Sequence, residues 1–206
     1  MRAMLAADPV RRRILDLVGS LALPDCWIGA GFVRNAVWDR LHGRSAAPLR
    51  GDVDVIWFDP QLATPADDAR LEARLRAHDP GIVWSVKNQA RMHRRNDDAP
   101  YCSATDAMRY WPETATAVAV RQTASGSWEI AAPFGLADLF GLVLRPTPRF
   151  AGAKRAAFLD RVRSKGWLDA WPRLRIEMEP ITARKPDTGE ISPDRSSACR
   201  RSRARL

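Results

Sequence analysis

Two short stretches decide the fold: "WIGAGFVRNAVWDRLHG", Trp27–Gly43, and "GDVDVIWFD", Gly51–Asp59, which starts eight residues after the first one ends. In the first, a brief apolar run closed by glycine predicts a strand, and the apolar residues that follow at helical spacing predict a helix. The second stretch predicts a buried strand. Because side chains along a strand point to alternate faces of the sheet, Asp52 and Asp54 are expected on the same face. The close succession of a strand-to-helix turn and two aspartates on the next strand indicates that both stretches line one site.

The rest of the chain adds helices and strands in alternation. Asp8-Pro9 and Thr64-Pro65 predict helix starts, because a capping side chain precedes a proline at the first helical position. "GIVWSVK" predicts a further strand, and "ATAVAVRQ" and "SWEIAAP" around "TASG" predict a β-hairpin. With further helices expected near 103–111, 136–144 and 150–165, this order predicts an α/β (α+β) fold with a mixed β-sheet flanked by helices.

Composition predicts one folded domain over residues 1–174 and a basic tail over 175–206. The tail is rich in Pro, Ser and Arg without apolar periodicity, so we expect it to be disordered. It contributes to the net charge of +9 and is either a solvated extension, which we favour, or a contact for RNA or an anionic surface. No apolar run approaches the roughly 18 residues that span a bilayer, so no membrane partner is expected.

The cysteines and histidines indicate where the protein works. The three cysteines lack metal-ligand spacing, which favours thiols in a reducing compartment and therefore a cytoplasmic protein. The three histidines are spread along the chain and predict no zinc site. The oligomeric state stays open.

The aspartate pair predicts a metal site. Asp52 and Asp54 lie two residues apart on a strand, about 6–7 Å, and two carboxylates at that separation repel unless they are paired. Mg²⁺ (or Mn²⁺) prefers oxygen ligands, typically one or two carboxylates together with substrate phosphates. The alternative is a strand end whose acids face solvent.

The glycine stretch predicts an anion-binding turn. Gly29, Ala30 and Gly31 are small enough for backbone N–H groups to approach a phosphate, and the following helix adds its partial positive charge. Arg34 and Asn35, in the first helical turn, are candidate phosphate or sugar contacts. The turn is not a dinucleotide fingerprint, because Arg34 stands where the third glycine belongs. The alternative is a tight turn with Arg34 in solvent.

A second polar cluster follows the predicted strand "GIVWSVK". In "VKNQARMHRRND", Val86–Asp98, Asn88 and Arg91 are candidates for contacting a base, sugar or phosphate, since α/β proteins bind ligands at strand ends. A solvated basic loop explains the same residues.

These motifs resemble a known superfamily. "AGFVR" opening a helix, followed by Asp-x-Asp on the next strand, is similar to the nucleotidyltransferases that include DNA polymerase beta and the tRNA CCA-adding enzymes. Ala30-Gly31 stands where those tRNA enzymes have Gly-Gly, and Asn35 where they have Asp. The chain further resembles a bacterial family of nucleotidyltransferase-like proteins of unknown substrate, matched by "VKNQARMH", "WPETATAVAV", "APFGLADLF" and "KGWLDAWPRL".

The resemblance, which covers roughly Cys26 to Leu174, implies a reaction. A nucleoside monophosphate would pass from an NTP to a hydroxyl acceptor (a small molecule, protein or RNA), releasing pyrophosphate, with Asp52 and Asp54 holding the metal. The superfamily has a third carboxylate on a later strand, for which Glu129 is the best candidate, although it could equally lie on the exposed face of the hairpin. Two alternatives remain: a non-catalytic nucleotide-binding or regulatory module, and a nucleic-acid-binding protein acting through its basic surface.

Overall fold

A mixed β-sheet forms the centre of the protein. The computed structural model describes residues 1–44, 48–123 and 125–179. Within these ranges five strands pair in the order β3-β2-β1-β4-β5, with β2 and β3 parallel and the other neighbours antiparallel. The strands are β1 Trp27–Gly29, β2 Val53–Trp57, β3 Trp84–Asn88, β4 Ala119–Gln122 and β5 Trp128–Ala131. This architecture confirms the predicted fold class.

Helices surround the sheet. The α-helices are α1 Arg2–Ala6, α2 Pro9–Gly19, α3 Gly31–Leu41, α4 Pro65–His78, α5 Gln89–Asn96, α6 Ala104–Ala107, α7 Ala137–Phe140, α8 Pro148–Ala151, α9 Arg155–Ser164 and α10 Trp167–Ala170, with a 3-10 turn at Met108–Tyr110. The expected caps are present, since Asp8 accepts two backbone N–H groups of α2 and Thr64 forms a capping box with Asp67 in α4. Among the described residues no helix has the length and apolarity to cross a membrane.

The two faces of the sheet differ in chemistry. Residues that alternate on one face are apolar and belong to the main core with side chains of α2, α3 and α4; they include Ile28, Val55, Trp57, Val86 and Val120. The register places Asp54 beside Gly29 on one side and Ser85 on the other, all on the opposite face. That second face carries only a small apolar cluster, which leaves room for a polar site.

Three predicted elements differ from the structure. The helix expected over 136–144 is wrong: α7 ends at Phe140, and Leu142 has φ 58°, a left-handed conformation that no α-helix continues through. The chain then forms the short strand β6, Val143–Leu144. The helix expected over 150–165 is split at Gly152, and the predicted polar loop after β3 is the helix α5, capped by Asn88.

The folded body extends past residue 174. Strand β7, Arg175–Ile176, pairs in parallel with β6, and Glu177 forms an ion pair with Arg145 at 2.5 Å. Residues 175–179, which we had predicted to belong to the tail, are therefore packed against the body. The predicted disorder of the tail concerns residues 180–206, which lie outside the described residues.

Candidate active site

The aspartate pair and the glycine turn meet at the end of β1. Asp54 lies directly across from Gly29 in the antiparallel β1–β2 pair and beside Ser85 in the parallel β2–β3 pair. Asp52 precedes β2 by one residue, lies two residues from Asp54, and is exposed. The structure therefore brings together the two stretches that the sequence analysis assigned to one site.

Asp54 is in an electrostatically unfavourable position. Burial, and secondarily the neighbouring charge of Asp52, raise its pKa from 3.8 to about 6. A hydrogen bond with Ser85 and the positive charges of Arg34 and Arg161 act in the opposite direction without cancelling the rise. A carboxylate held in this way gains most from a cation placed beside it.

The turn before α3 is strained and uncapped. Ala30 has φ 51° and ψ −121°, a conformation that non-glycine residues rarely adopt and that costs about 1–3 kcal/mol. Its side chain cannot accept a hydrogen bond from the first turn of α3, which begins at Gly31, so the helix starts without a side-chain cap. Unpaired N–H groups and the helix dipole make this turn suited to an anion.

Gly29 has a packing reason to lack a side chain. A Cβ at this position would lie 2.8 Å from Cη2 of Trp111, closer than side-chain carbons approach each other. The Trp111 ring therefore lies against the backbone of β1 on the face that carries Asp54. At Gly31 a Cβ would meet only ordinary neighbours, 3.4 Å from Nδ2 of Asn35.

Arg34 is buried beneath the turn rather than in solvent. Its Nη1 donates to Oγ1 of Thr116 at 2.8 Å, and its Nη2 donates to Oδ1 of Asn35 at 3.0 Å. The guanidinium carbon lies 4.9 Å from the ring centroid of Trp38 and 4.3 Å from that of Trp167. Burial lowers the pKa of Arg34 to about 10. The polar groups of Arg34 and Asn35 are therefore hydrogen-bonded to other protein groups in the interior.

A second arginine and a buried glutamate adjoin this cluster. Arg161, on α9, donates from Nε to Oε1 of Glu113 at 2.9 Å, and its guanidinium carbon lies 5.5 Å from the Trp167 ring. Glu113 is 0% exposed, and its Oε2 has no hydrogen-bond partner within residues 1–44, 48–123 and 125–179. Neither residue is predicted from the sequence as part of the site. They are 48 positions apart, and no local pattern in the sequence connects them.

Asn88 and Arg91 lie away from the aspartates. Asn88 is completely buried, donates to the carbonyls of Asp59 and Leu62, and caps α5. Arg91 forms an ion pair with Asp68 of α4, on the main-core side of the sheet. The structure gives both residues contacts that hold the loop after β2 and helix α4 to β3, so we do not include them in the nucleotide site.

Glu129 is also separated from the aspartates. It lies on the edge strand β5, three strands from β2, which corresponds to about 14 Å. Its carboxylate pairs with Arg121, the residue directly across on β4, at 2.5 Å, and 43% of the side chain is exposed. The cross-strand arginine explains an acid within this strand. The structure therefore does not support Glu129 as a third carboxylate beside the pair.

The carboxylates present suit a cation that shares its ligands with a substrate. Within the described ranges, no three His, Cys, Asp or Glu side chains are grouped so that they could hold a metal ion by themselves. Asp52 and Asp54 alone provide hard oxygen ligands, and a divalent ion bound by two carboxylates takes its other ligands from phosphate and water. Burial, and secondarily repulsion by Asp52, raise the pKa of Asp54, and a cation bound beside the carboxylate would offset both effects.

Comparison with known families identifies the chain. A sequence profile described as "Nucleotidyltransferase" matches residues 16–176, which contain the sheet, the turn and the aspartate pair. The chain belongs to this nucleotidyltransferase family. The match ends at the last residue of β7, Ile176. Among curated proteins, no match was found.

Solved structures of nucleotidyltransferases agree with this assignment. The chain is 34% identical to a protein whose NMR structure reveals a CCA-adding enzyme head domain, with a TM-score of 0.77 over 86% of this chain and 95% of that one. It is also similar in fold to the Thermotoga maritima CCA-adding enzyme complexed with tRNA, at 16% identity and a TM-score of 0.53. That second match covers 85% of this chain and 42% of that enzyme. The nucleotidyltransferase described here thus has the architecture of a head domain.

Proposed function

We propose that this nucleotidyltransferase moves a nucleoside monophosphate from an NTP to a hydroxyl acceptor in a reaction that depends on Mg²⁺ or Mn²⁺. The observation that carries the proposal is the pairing of Asp54 with Gly29. It brings two carboxylates to an uncapped helix N-terminus in a chain of this family. One end of the site suits a cation and the other suits phosphate.

The chemistry assigned to the site is a displacement at the α-phosphorus. The acceptor hydroxyl releases its proton to water as its oxygen forms the new bond to the α-phosphorus, the bond from that phosphorus to the oxygen bridging the β-phosphate breaks, and pyrophosphate leaves. When bound, the divalent ion supplies charge stabilisation to the attacking and leaving oxygens. Asp52 and Asp54 would hold that ion, and the backbone N–H groups of Gly31 and the residue after it would orient the leaving phosphates.

A non-catalytic nucleotide-binding module is the second candidate. It is favoured by one observation: within the described residues, the structure brings no third acid beside Asp52 and Asp54 to complete a metal site. Such a module would bind an NTP with the same residues but leave the bond between the α- and β-phosphates intact.

The class of acceptor can be identified by transfer of a radioactive phosphate from labelled NTP. Purified protein is incubated with each α-³²P-labelled NTP and Mg²⁺, together with separated small-molecule, protein and RNA fractions, the RNA including tRNA lacking its 3′ end. We expect Mg²⁺-dependent label in one fraction, lost in Asp54→Asn. The matched control is Asp160→Asn, since Asp160 is an exposed acid on α9 (71% side-chain exposure).

The outcomes separate the candidates. NTP binding with no label in any fraction would support the non-catalytic module and refute the transfer reaction. The absence of any NTP binding would refute both. Label that persists in Asp54→Asn would place the chemistry at another site.

A further inference from the structure

Arg34 and Arg161 both contact the Trp167 ring, and they differ in how available they are to a ligand. Arg34 is 6% exposed, its guanidinium is bonded to Thr116 and Asn35, and two tryptophan rings lie within 4.9 Å. A phosphate could reach Arg34 only if these contacts were broken. Its positive charge therefore acts on the site from below the turn, without direct contact.

Arg161 is arranged differently. Its side chain is 35% exposed, and within the described part of the chain its guanidinium makes a single hydrogen bond, from Nε to Glu113. Both terminal nitrogens are therefore without an acceptor among the residues that the structure describes. Arg161 and Arg34 both contact the Trp167 ring, and the positive charge of Arg161 acts on Asp54, so its guanidinium is close enough to influence the aspartate site.

Glu113 explains why Arg161 is held there. The carboxylate is fully buried, and it stabilises the charged form of Arg34 while bonding to Arg161. One buried acid thus interacts with two cations, and its Oε2 has no hydrogen-bond partner in the described part of the chain. Glu113 therefore fixes the position of the Arg161 guanidinium through Nε without occupying its terminal nitrogens.

We propose that Arg161, rather than Arg34, contacts the triphosphate, and that Glu113 is a positioning residue which directs the terminal nitrogens of Arg161 toward it. The inference rests on the proposed function, because it names the phosphate contact of that same site. A guanidinium anchored through Nε keeps its two terminal nitrogens in a fixed plane, which suits bidentate contact with phosphate oxygens. Helix α9 thereby belongs to the active site although it lies outside the sheet.

The test uses inorganic tripolyphosphate with Mg²⁺ as the probe, titrated calorimetrically into the full chain. We expect Arg161→Ala to weaken binding roughly tenfold to a hundredfold, the effect of one lost charge-assisted contact. Arg163→Ala is the matched control, because Arg163 lies on the same helix with 74% of its side chain exposed, and we expect binding to be unchanged. Tripolyphosphate binding equal in wild type and Arg161→Ala, or absent in wild type, would overturn the proposal.

The role of Glu113 is tested by a double-mutant cycle. Glu113→Gln should weaken tripolyphosphate binding in the wild-type background and have no further effect in Arg161→Ala, because the glutamate acts through the arginine. Equal effects in both backgrounds would show a purely structural residue. If Glu113→Gln does not fold, the Arg161 variants still decide the contact.

Failure of this inference is distinguishable from failure of the proposed function. Arg161-dependent binding of tripolyphosphate without any nucleotide transfer would uphold the inference and refute the transfer reaction. Nucleotide transfer by the wild type, together with normal binding of tripolyphosphate by Arg161→Ala, would uphold the transfer reaction and refute the inference.

Discussion

Replacing Asp54 by Asn should make the metal-free protein more stable. Asn keeps the size of the side chain and an oxygen that can accept from Ser85, but it removes the charge that burial and Asp52 disfavour. The pKa rise from 3.8 to about 6 corresponds to at most about 3 kcal/mol at neutral pH, at 1.36 kcal/mol per pKa unit. We expect Asp54→Asn to gain a substantial part of that free energy of unfolding.

The pH dependence gives the sharper signature. Because the pKa of Asp54 is raised on folding, its favourable contribution is complete below pH 3.8 and is lost as pH rises through about 6. The stability difference between Asp54→Asn and wild type should therefore be small near pH 4, grow up to about pH 6, and stay constant above it.

The assay is urea unfolding followed by tryptophan fluorescence in EDTA, at a series of pH values from 4 to 8. Asp160→Asn, on an exposed surface, serves as the control, and its stability difference from wild type should not change over this pH range. Added Mg²⁺ at pH 7 should then raise the stability of wild type more than that of Asp54→Asn, since a ligand stabilises the state that binds it. An Asn variant that is less stable at pH 7, or a difference that does not change with pH, would refute this reasoning.

Three further predictions concern packing. Gly29→Ala should lower the free energy of unfolding by about 1–3 kcal/mol through overlap with Trp111, and an unchanged urea midpoint would contradict that contact. Arg34→Ala should lower the free energy of unfolding by about 1–3 kcal/mol by leaving Thr116 and Asn35 without a buried hydrogen-bond partner, whereas loss of NTP affinity at full stability would show that Arg34 is a ligand contact. A chain ending at Leu174 should melt at a lower temperature than one ending at Glu179, because it lacks β7; equal melting temperatures would restore the shorter domain boundary.

The sequence predicted well wherever the signal is local. A capping side chain before proline and alternation along β2 need only neighbouring residues, and both were confirmed in the structure. The sequence also predicted that the glycine turn and the aspartate pair line one site, and the register of β1 and β2, which the sequence did not predict, brings Asp54 beside Gly29.

The failures at Glu129, Arg161 and Glu113 have a physical reason in common, because the deciding contact of each lies outside the local sequence. Glu129 looked like a functional acid because a charge inside a strand is costly, and only the register of the hairpin shows that Arg121 lies directly across from it. Arg161 and Glu113 were missed because their contact joins two distant segments through tertiary packing. Helix α5 was missed because polar residues dominate it, so apolar periodicity gave no signal.

The central claim, nucleotidyl transfer at the Asp52–Asp54 site, is tested most directly by paired labelling of the same NTP. Wild type and Asp54→Asn are incubated with Mg²⁺, the fraction that contains the acceptor, and either α-³²P- or γ-³²P-labelled NTP. The account predicts that wild type transfers the α label to the acceptor and releases the γ label as pyrophosphate, and that Asp54→Asn does neither. Release of the γ label as inorganic phosphate, or α-label transfer undiminished in Asp54→Asn, would contradict it.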